Sequence, residues 1–407
     1  MKNLSFRFLK YLYIHLLILF SNLTVAQVLV ENKGDKLKNT DLTRLSFTVE
    51  EALDWTALFD RTSGWFGADG IFSIPLIDRE NANTSKKNVL FIFSDTMIGD
   101  IVNGKLQNGS KMVHNSVAYM EGNRADRDEI HFYPDKKNSS EVGTLFTPET
   151  SDAQKGDYYW LGDGFVNHSL KENIYIFAYH MRNTSSKEWS FKQVGNALLV
   201  LEKDSKPPFK NYKEIKTPFL IEGEEETESS SLGAGIFANV QTADVPAPDG
   251  YIYVYGVKGK SKDLIVARVL PENFENFNQY RFWDGKGWSA GIDHAVGITD
   301  SVSNELSVTP LKDGRYALVF QINGMSDTIG LRLGLSPYGP FGPIINVWTC
   351  EEPQRKNYFT YNAKAHPGLS NPGELIISYN VNAFDFLNEI SANPKLYRPR
   401  FIRMKFE

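Results

Sequence analysis

The chain has 407 residues, 44 Lys and Arg against 49 Asp and Glu, and a formal net charge of −5. A hydrophobic share of 42% and a charged share of 23% exclude intrinsic disorder, a collagen-like repeat and a multi-span membrane protein. The net negative charge carries no basic stripe, so no nucleic acid is expected as a partner. The single cysteine, Cys350, excludes an intramolecular disulfide and a cysteine metal cluster, and reads as a buried strand residue.

Residues 1–26 read as a signal peptide. Lys2, Arg7 and Lys10 form a positive start, Tyr11 to Phe20 an apolar stretch too short to span a bilayer, and Thr24-Val25-Ala26 a small-residue cleavage site. No cysteine follows the apolar stretch, which argues against a lipid anchor; an uncleaved membrane anchor is the competing reading. The expectation is an exported protein, periplasmic or secreted, with no stable membrane anchor after processing, and a monomer. Residues 27–54 form an N-terminal segment, and 55–407 a single domain.

That domain carries a recurring pattern. Asn88–Phe93 (NVLFIF), Asn173–Tyr179 (NIYIFAY), Tyr251–Val257 (YIYVYGV), Arg315–Phe320 (RYALVF) and Glu374–Tyr379 (ELIISY) are runs of aromatic and β-branched residues. Turn chemistry precedes several of them, as in Pro248-Asp249-Gly250, Asp313-Gly314 and Asn371-Pro372-Gly373. None shows the spacing near 3.6 that a helix requires. Each run has strand-like neighbours: Ile71–Leu76, Tyr159–Val166, Gly235–Gln241, Glu305–Leu311 and Ala363–Leu369 before; His114–Met120, Ala197–Glu202, Leu264–Val269, Ile329–Leu335 and Arg400–Phe406 after. Fourth strands are expected at Glu129–Tyr133, Glu214–Leu220, Tyr280–Trp283 and Ile344–Thr349.

Five such meanders predict an all-β fold, a five-bladed β-propeller, with Val28–Glu31 or Leu45–Val49 supplying a ring-closing strand. A pair of β-sandwiches is the alternative. No Pro, Ser or Gly-rich linker marks the split it would need.

In a propeller, residues at the start of the innermost strand and the end of the second converge on one funnel, a natural binding site. Asp69, Asp95, Asp163, His180, Asn239, Glu305, His366 and Asn380 occupy such places. Carboxylates in several blades suit glycoside cleavage: one donates a proton to the leaving oxygen and another acts as base or nucleophile. Each acid also has a structural reading, since Asp-Gly and Asp-Thr are common turn and capping pairs. Trp65, Trp160, Trp283 and Trp288 could stack on sugar faces or fill the core. Nucleophile-elbow, phosphate-loop, dinucleotide and zinc-protease motifs are absent from the sequence.

Several passages then carry a resemblance. They are Gly67-Ala68-Asp69-Gly70-Ile71-Phe72-Ser73, Phe93-Ser94-Asp95-Thr96, His114-Asn115-Ser116-Val117 and Asn304-Glu305-Leu306-Ser307-Val308, then Ser336-Pro337-Tyr338-Gly339-Pro340, Ala363-Lys364-Ala365-His366-Pro367 and Tyr397-Arg398-Pro399-Arg400-Phe401. In order and spacing, over roughly 55–406, the chain resembles the secreted DUF4185/DUF5005-type five-bladed propellers. Some members of that group are endo-acting D-arabinanases. The resemblance implies glycoside hydrolysis, with one catalytic acid at Asp69 and a second at Asp95, where Ser94 replaces the glycine of the family's Gly-Asp-Thr motif.

These readings combine into an exported glycoside hydrolase acting on a polysaccharide or oligosaccharide, an arabinan-like furanoside being favoured. Asp69 and Asp95, or Asp69 and Glu305, are the catalytic pair; Asn115, Trp160, Asp163 and His366 are substrate-binding residues. No catalytic metal and no organic cofactor is required, and axial oxygen ligands could hold a structural calcium. The competing readings are a non-catalytic glycan-binding propeller and an envelope scaffold.

Overall fold

A computed structural model describes residues 40–76, 88–134, 142–186, 189–223, 229–243, 245–355 and 357–407. The expected leader and the Val28–Glu31 alternative lie outside these residues.

The five apolar runs lie in five antiparallel sheets, each run beside its sheet's innermost strand. The first sheet is Phe72–Leu76, Asn88–Phe93, Ser116–Met120 and Ile130–Tyr133. The second is Tyr158–Asn167, Asn173–Asn183, Phe191–Leu201 and Tyr212–Lys216. The third has six strands: Leu220–Ile221, Ser230–Asn239, Tyr251–Lys258, Asp263–Val269, Arg281–Trp283 and Trp288–Ser289. The fourth is Leu306–Pro310, Tyr316–Gln321, Thr328–Gly334 and Ile345–Thr349. The fifth is Tyr358–Ala365, Glu374–Ala383 and Arg400–Phe406, with Phe47–Glu51 paired antiparallel on the last of these, Phe47 opposite Phe406 and Glu51 opposite Ile402.

The runs are apolar throughout because successive side chains enter different cores. Leu90 and Ile92 of the first sheet join Ile174 and Ile176 of the second, whereas Val89 and Phe91 meet Ile376 and Phe401 of the fifth. Tyr175 and Phe177 pack with Ile252 and Val254 between sheets two and three. Tyr253 and Tyr255 pack with Leu318 and Phe320 between three and four. Ala317 and Val319 pack with Leu375 and Ile377 between four and five. Five cores therefore link the sheets in a closed cycle, and the strands starting at Phe72, Tyr158, Ser230, Leu306 and Tyr358 lie innermost, packing in succession from the first sheet to the fifth.

Several boundaries differ from the sequence reading. The inner strand of the fifth sheet is Tyr358–Ala365, not Ala363–Leu369, because Pro367 cannot donate to a ladder and instead opens a 3₁₀ turn, Pro367–Leu369. The expected strand Glu214–Leu220 divides: Tyr212–Lys216 ends the second sheet and Leu220–Ile221 edges the third. An unforeseen small sheet joins Ser63–Ala68, Thr96–Val102, Lys105–Leu106 and Lys111–Val113. Cys350 is buried one residue beyond its strand, and burial pushes its thiol up to about 12.

The inner strands break register at Leu161/Gly164, Leu232/Gly235 and Tyr361/Lys364. Such irregularities re-aim side chains next to functional sites. They also need small residues: a Cβ on Gly162 would lie 2.6 Å from the Gly233 carbonyl oxygen, so glycine lets two inner strands approach.

Candidate active site

Ser63–Ala68 and Phe72–Leu76 are nearly one strand, interrupted at Asp69-Gly70-Ile71; the returning strands, Asn88–Phe93 and Thr96–Val102, are interrupted at Ser94-Asp95. The interruptions face each other. The Asp69 N–H donates to the Asp95 carbonyl at 3.1 Å, and the Ser94 N–H to the Asp69 carbonyl at 2.9 Å. Gly70 has φ +63°, and a Cβ there would meet Ser94 Oγ at 2.6 Å, so the crossing excludes a side chain. Ser94 ties the crossing to the second sheet, its Oγ accepting the Leu161 N–H at 2.9 Å.

This crossing makes Asp69 and Asp95 cross-strand neighbours. Asp95 Oδ1 lies 2.9 Å from His114 Nδ1, and the imidazole stacks on Tyr158 with centroids 3.8 Å apart. The Asp95 side chain remains 18% exposed. Asp69 Oδ2 accepts from the Tyr361 hydroxyl at 2.7 Å, and Asn382 Nδ2 donates to that hydroxyl at 3.2 Å. Burial, then the negative charge of Asp95, pushes the Asp69 carboxyl up to about 8, against the opposing pull of hydrogen bonds from Tyr397 and Tyr361; Glu305 adds a further upward push. Asp69 is nonetheless only half-buried.

Deeper along the inner strands lies a second charged group. Lys364, 2% exposed, donates from Nζ to the Ile71 carbonyl at 2.7 Å and pairs with the Glu305 carboxylate. Its ammonium also sits 4.0 Å from the centre of the Phe72 ring. Asn362 Nδ2 donates to the other Glu305 oxygen at 2.7 Å, so both carboxylate oxygens are engaged. Burial raises Glu305 and lowers Lys364, and each offsets the other's shift. Asp163 sits in the register break of the second sheet, where it accepts the Ile236 N–H at 2.6 Å and the Gly164 N–H at 2.8 Å. Its carboxyl is pushed up to about 7 by burial, although both N–H groups and Lys364 oppose the shift.

Asp69, Asp95, Glu305 and Asp163 thus fall within one electrostatic neighbourhood. Among the described residues, no group of three or more His, Cys, Asp or Glu is arranged to hold a metal ion, and the positive charge among these acids comes from Lys364. The arrangement offers a protonated acid beside a second carboxylate, the pair that acid–base chemistry needs.

The remaining expected site residues are placed differently. Asn115 is fully buried: its Nδ2 donates to the Phe146 and Tyr159 carbonyls and its Oδ1 accepts the Phe146 N–H. Trp160 is half-buried, edge-on to Phe191 at 4.7 Å. His366 follows the inner strand of the fifth sheet instead of lying within it, with Nδ1 2.9 Å from Ser73 Oγ and Nε2 2.7 Å from Ser378 Oγ. Burial holds its pKa well below the usual histidine value. A cavity of about 1450 Å³ opens at that end of the inner strands, lined by Asp163, Lys364 and His366 but not by Asp69, Asp95 or Glu305.

A family model described as a domain of unknown function, DUF5005, matches residues 52–406. The chain belongs to the DUF5005 family. A solved structure from Bacteroides ovatus, provisionally assigned as a hydrolase, has a TM-score of 0.66 and 18% identity, covering 90% of this DUF5005 chain and 97% of its own. An exo-β-1,3-galactanase from Phanerochaete chrysosporium follows at TM-score 0.45 and 10% identity, covering 84% and 63%. An endo-arabinase from Bacteroides thetaiotaomicron gives 0.43 and 11%, covering 84% and 96%. The first shares the fold; the other two are too distant to bear on this chain. No curated protein matches it.

Sequence reasoning on this DUF5005 chain passed over Lys364, Tyr361, Tyr397 and Trp189. Lys364 had a legible signal: a lone lysine between Ala363 and Ala365 in an apolar stretch implies a buried charge and hence a partner. The tyrosines had none, because strand formers are read as core. Of the four tryptophans weighed for stacking, Trp65 is buried and Trp283 and Trp288 pack on Tyr338. Trp189, 49% exposed, was not among them.

Proposed function

We propose that the protein is an exported, monomeric glycoside hydrolase built as a five-bladed propeller and acting on a polysaccharide, an arabinan-like furanoside being favoured. The observation that carries this reading is the Asp69–Asp95 crossing: an acid held protonated near neutral pH beside a second carboxyl group that is partly open to solvent. In the proposed reaction, Asp69 transfers its proton to the glycosidic oxygen as the bond to the anomeric carbon breaks. Asp95 either removes a proton from the attacking water or attacks the anomeric carbon itself. A separation of about 5 Å or of about 6.5–9.5 Å distinguishes the two routes. His114 orients Asp95, and Tyr361 orients Asp69.

Glu305 is the weaker candidate for the second carboxylate, since Asn362 and Lys364 engage both its oxygens. With Lys364 and Asp163 it sets the field around Asp69. The leader supports export, and the five cores in a cycle support the blade count. The backbone-bound Asp163 and lysine-bound Glu305 are also what a glycan-binding domain without catalysis would carry, so the test must separate the two readings.

Reducing-sugar release from a polysaccharide panel, arabinans first, provides that test. Asp69→Asn and Asp95→Asn should each lower turnover by about 10²–10⁴-fold, the usual worth of a positioned acid or base, without a lower melting temperature. Unchanged turnover in both variants refutes the assignment. Binding without turnover by the unmodified protein favours the non-catalytic reading.

A further inference from the structure

Two large aromatic side chains among the described residues stand open to solvent: Trp189, 49% exposed, and Phe384, 61% exposed. They come from different sheets. Trp189 lies between the second and third strands of the second sheet, and Phe384 directly follows the second strand of the fifth. These sheets share no core, because the first sheet lies between them in the cycle. Yet the Trp189 indole N–H donates to the Phe384 carbonyl at 3.2 Å. The two loops therefore meet at the end of the first sheet that carries Asp69 and Asp95.

From this meeting point aromatic rings lead inward. Phe359 lies 5.9 Å from Trp189 and 4.8 Å from Phe384, between ring centroids. Tyr361 follows at 5.4 Å, and its hydroxyl donates to Asp69 Oδ2. The outer two rings form an apolar surface, Phe359 is buried beneath them, and the half-buried Tyr361 ends the row on the carboxyl group assigned as the proton donor. Exposed rings of this kind match the C–H face of a sugar, whose hydroxyls stay in water at the rim.

We propose that Trp189 and Phe384, backed by the buried Phe359 and continued inward by the half-buried Tyr361, form a stacking platform for the sugar rings of a polysaccharide, holding the chain beyond the residue at Asp69. The platform deepens the hydrolase reading and rests on it for its orientation toward Asp69. It specifies a chain-length preference: the substrate is a polymer long enough to reach from the acid to the rim.

Affinity electrophoresis through gels containing arabinan, xylan, galactan or mixed-linkage glucan tests the platform separately from catalysis. The unmodified protein should be retarded by at least one of these. Trp189→Ala and Phe384→Ala should each weaken that retardation about tenfold in apparent affinity, the size of one lost stacking contact. Trp189→Tyr, which keeps a ring, should restore most of it. Both sites are exposed, so unchanged melting temperatures confirm folding. Retardation of the alanine variants equal to the parent, or of the parent by none of the four glycans, overturns the platform. Retardation that depends on Trp189 without sugar release from any of these polymers leaves the platform standing and removes the hydrolase reading.

Discussion

Asp69 illustrates the cost of a functional carboxyl. Its folded pKa lies above its unfolded value, so between about pH 4 and 8 the folded state binds more protons and stability falls as pH rises. Asp69→Asn removes that cost, because an amide needs no proton to stay neutral beside Asp95. The variant should therefore be inactive yet melt higher at pH 7, by about 2 °C for each kcal/mol recovered. A lower melting point in differential scanning calorimetry would make Asp69 a structural residue. Tyr361→Phe probes the same proton from outside: loss of its hydrogen bond should raise the Asp69 pKa further and move the alkaline limb of kcat/KM upward. A limb that stays in place would detach Asp69 from the titration. The acid itself was legible in the sequence as Asp-Gly ahead of an apolar run. Its partner Tyr361 was not, because a tyrosine in a strand has the same pattern whether its hydroxyl meets solvent, core or carboxylate.

At the scale of elements, the register breaks in the inner strands bring charge into the interior. Lys364 enters at such a break and pairs with Glu305, which lies just ahead of the inner strand of the neighbouring sheet. Lys364→Met leaves Glu305 buried without a cation and should cost about 3–5 kcal/mol in urea denaturation. Adding Glu305→Gln to that variant should recover much of the loss, since the buried negative charge is then gone. Purely additive effects would show that the two side chains do not interact. The periodicity of the sequence located the five apolar strands because each alternates between two cores. It misplaced the inner strand of the fifth sheet by five residues at its start, because alternation continues through Ala363 and Ala365 while proline chemistry at Pro367 sets the true end. That shift carried His366 to the opposite end of the strand, away from Asp69.

For the whole molecule, closure is the decisive feature. Phe47–Glu51 completes the fifth sheet, so the two ends of the domain are hydrogen-bonded across its full sequence length. Removing residues 40–51 should lower the melting temperature by about 2 °C per kcal/mol lost and expose Arg400–Phe406 as a bare sheet edge. Light scattering should then show self-association; a monomer with unchanged melting would mean that the strand is dispensable. Of the two segments considered for this role, Leu45–Val49 lies within two residues of the observed strand.

The sequence by itself determined the number and order of the apolar runs, their turns, and the acids that precede or follow them, because these properties depend on neighbours within a few residues. Only the tertiary structure decided which acids share a field, that Lys364 lies among them, and that Trp189 of one sheet meets Phe384 of another across a third. Those relations depend on contacts between residues tens to hundreds of positions apart, set by how the sheets close on each other. No local pattern of side chains encodes such distances.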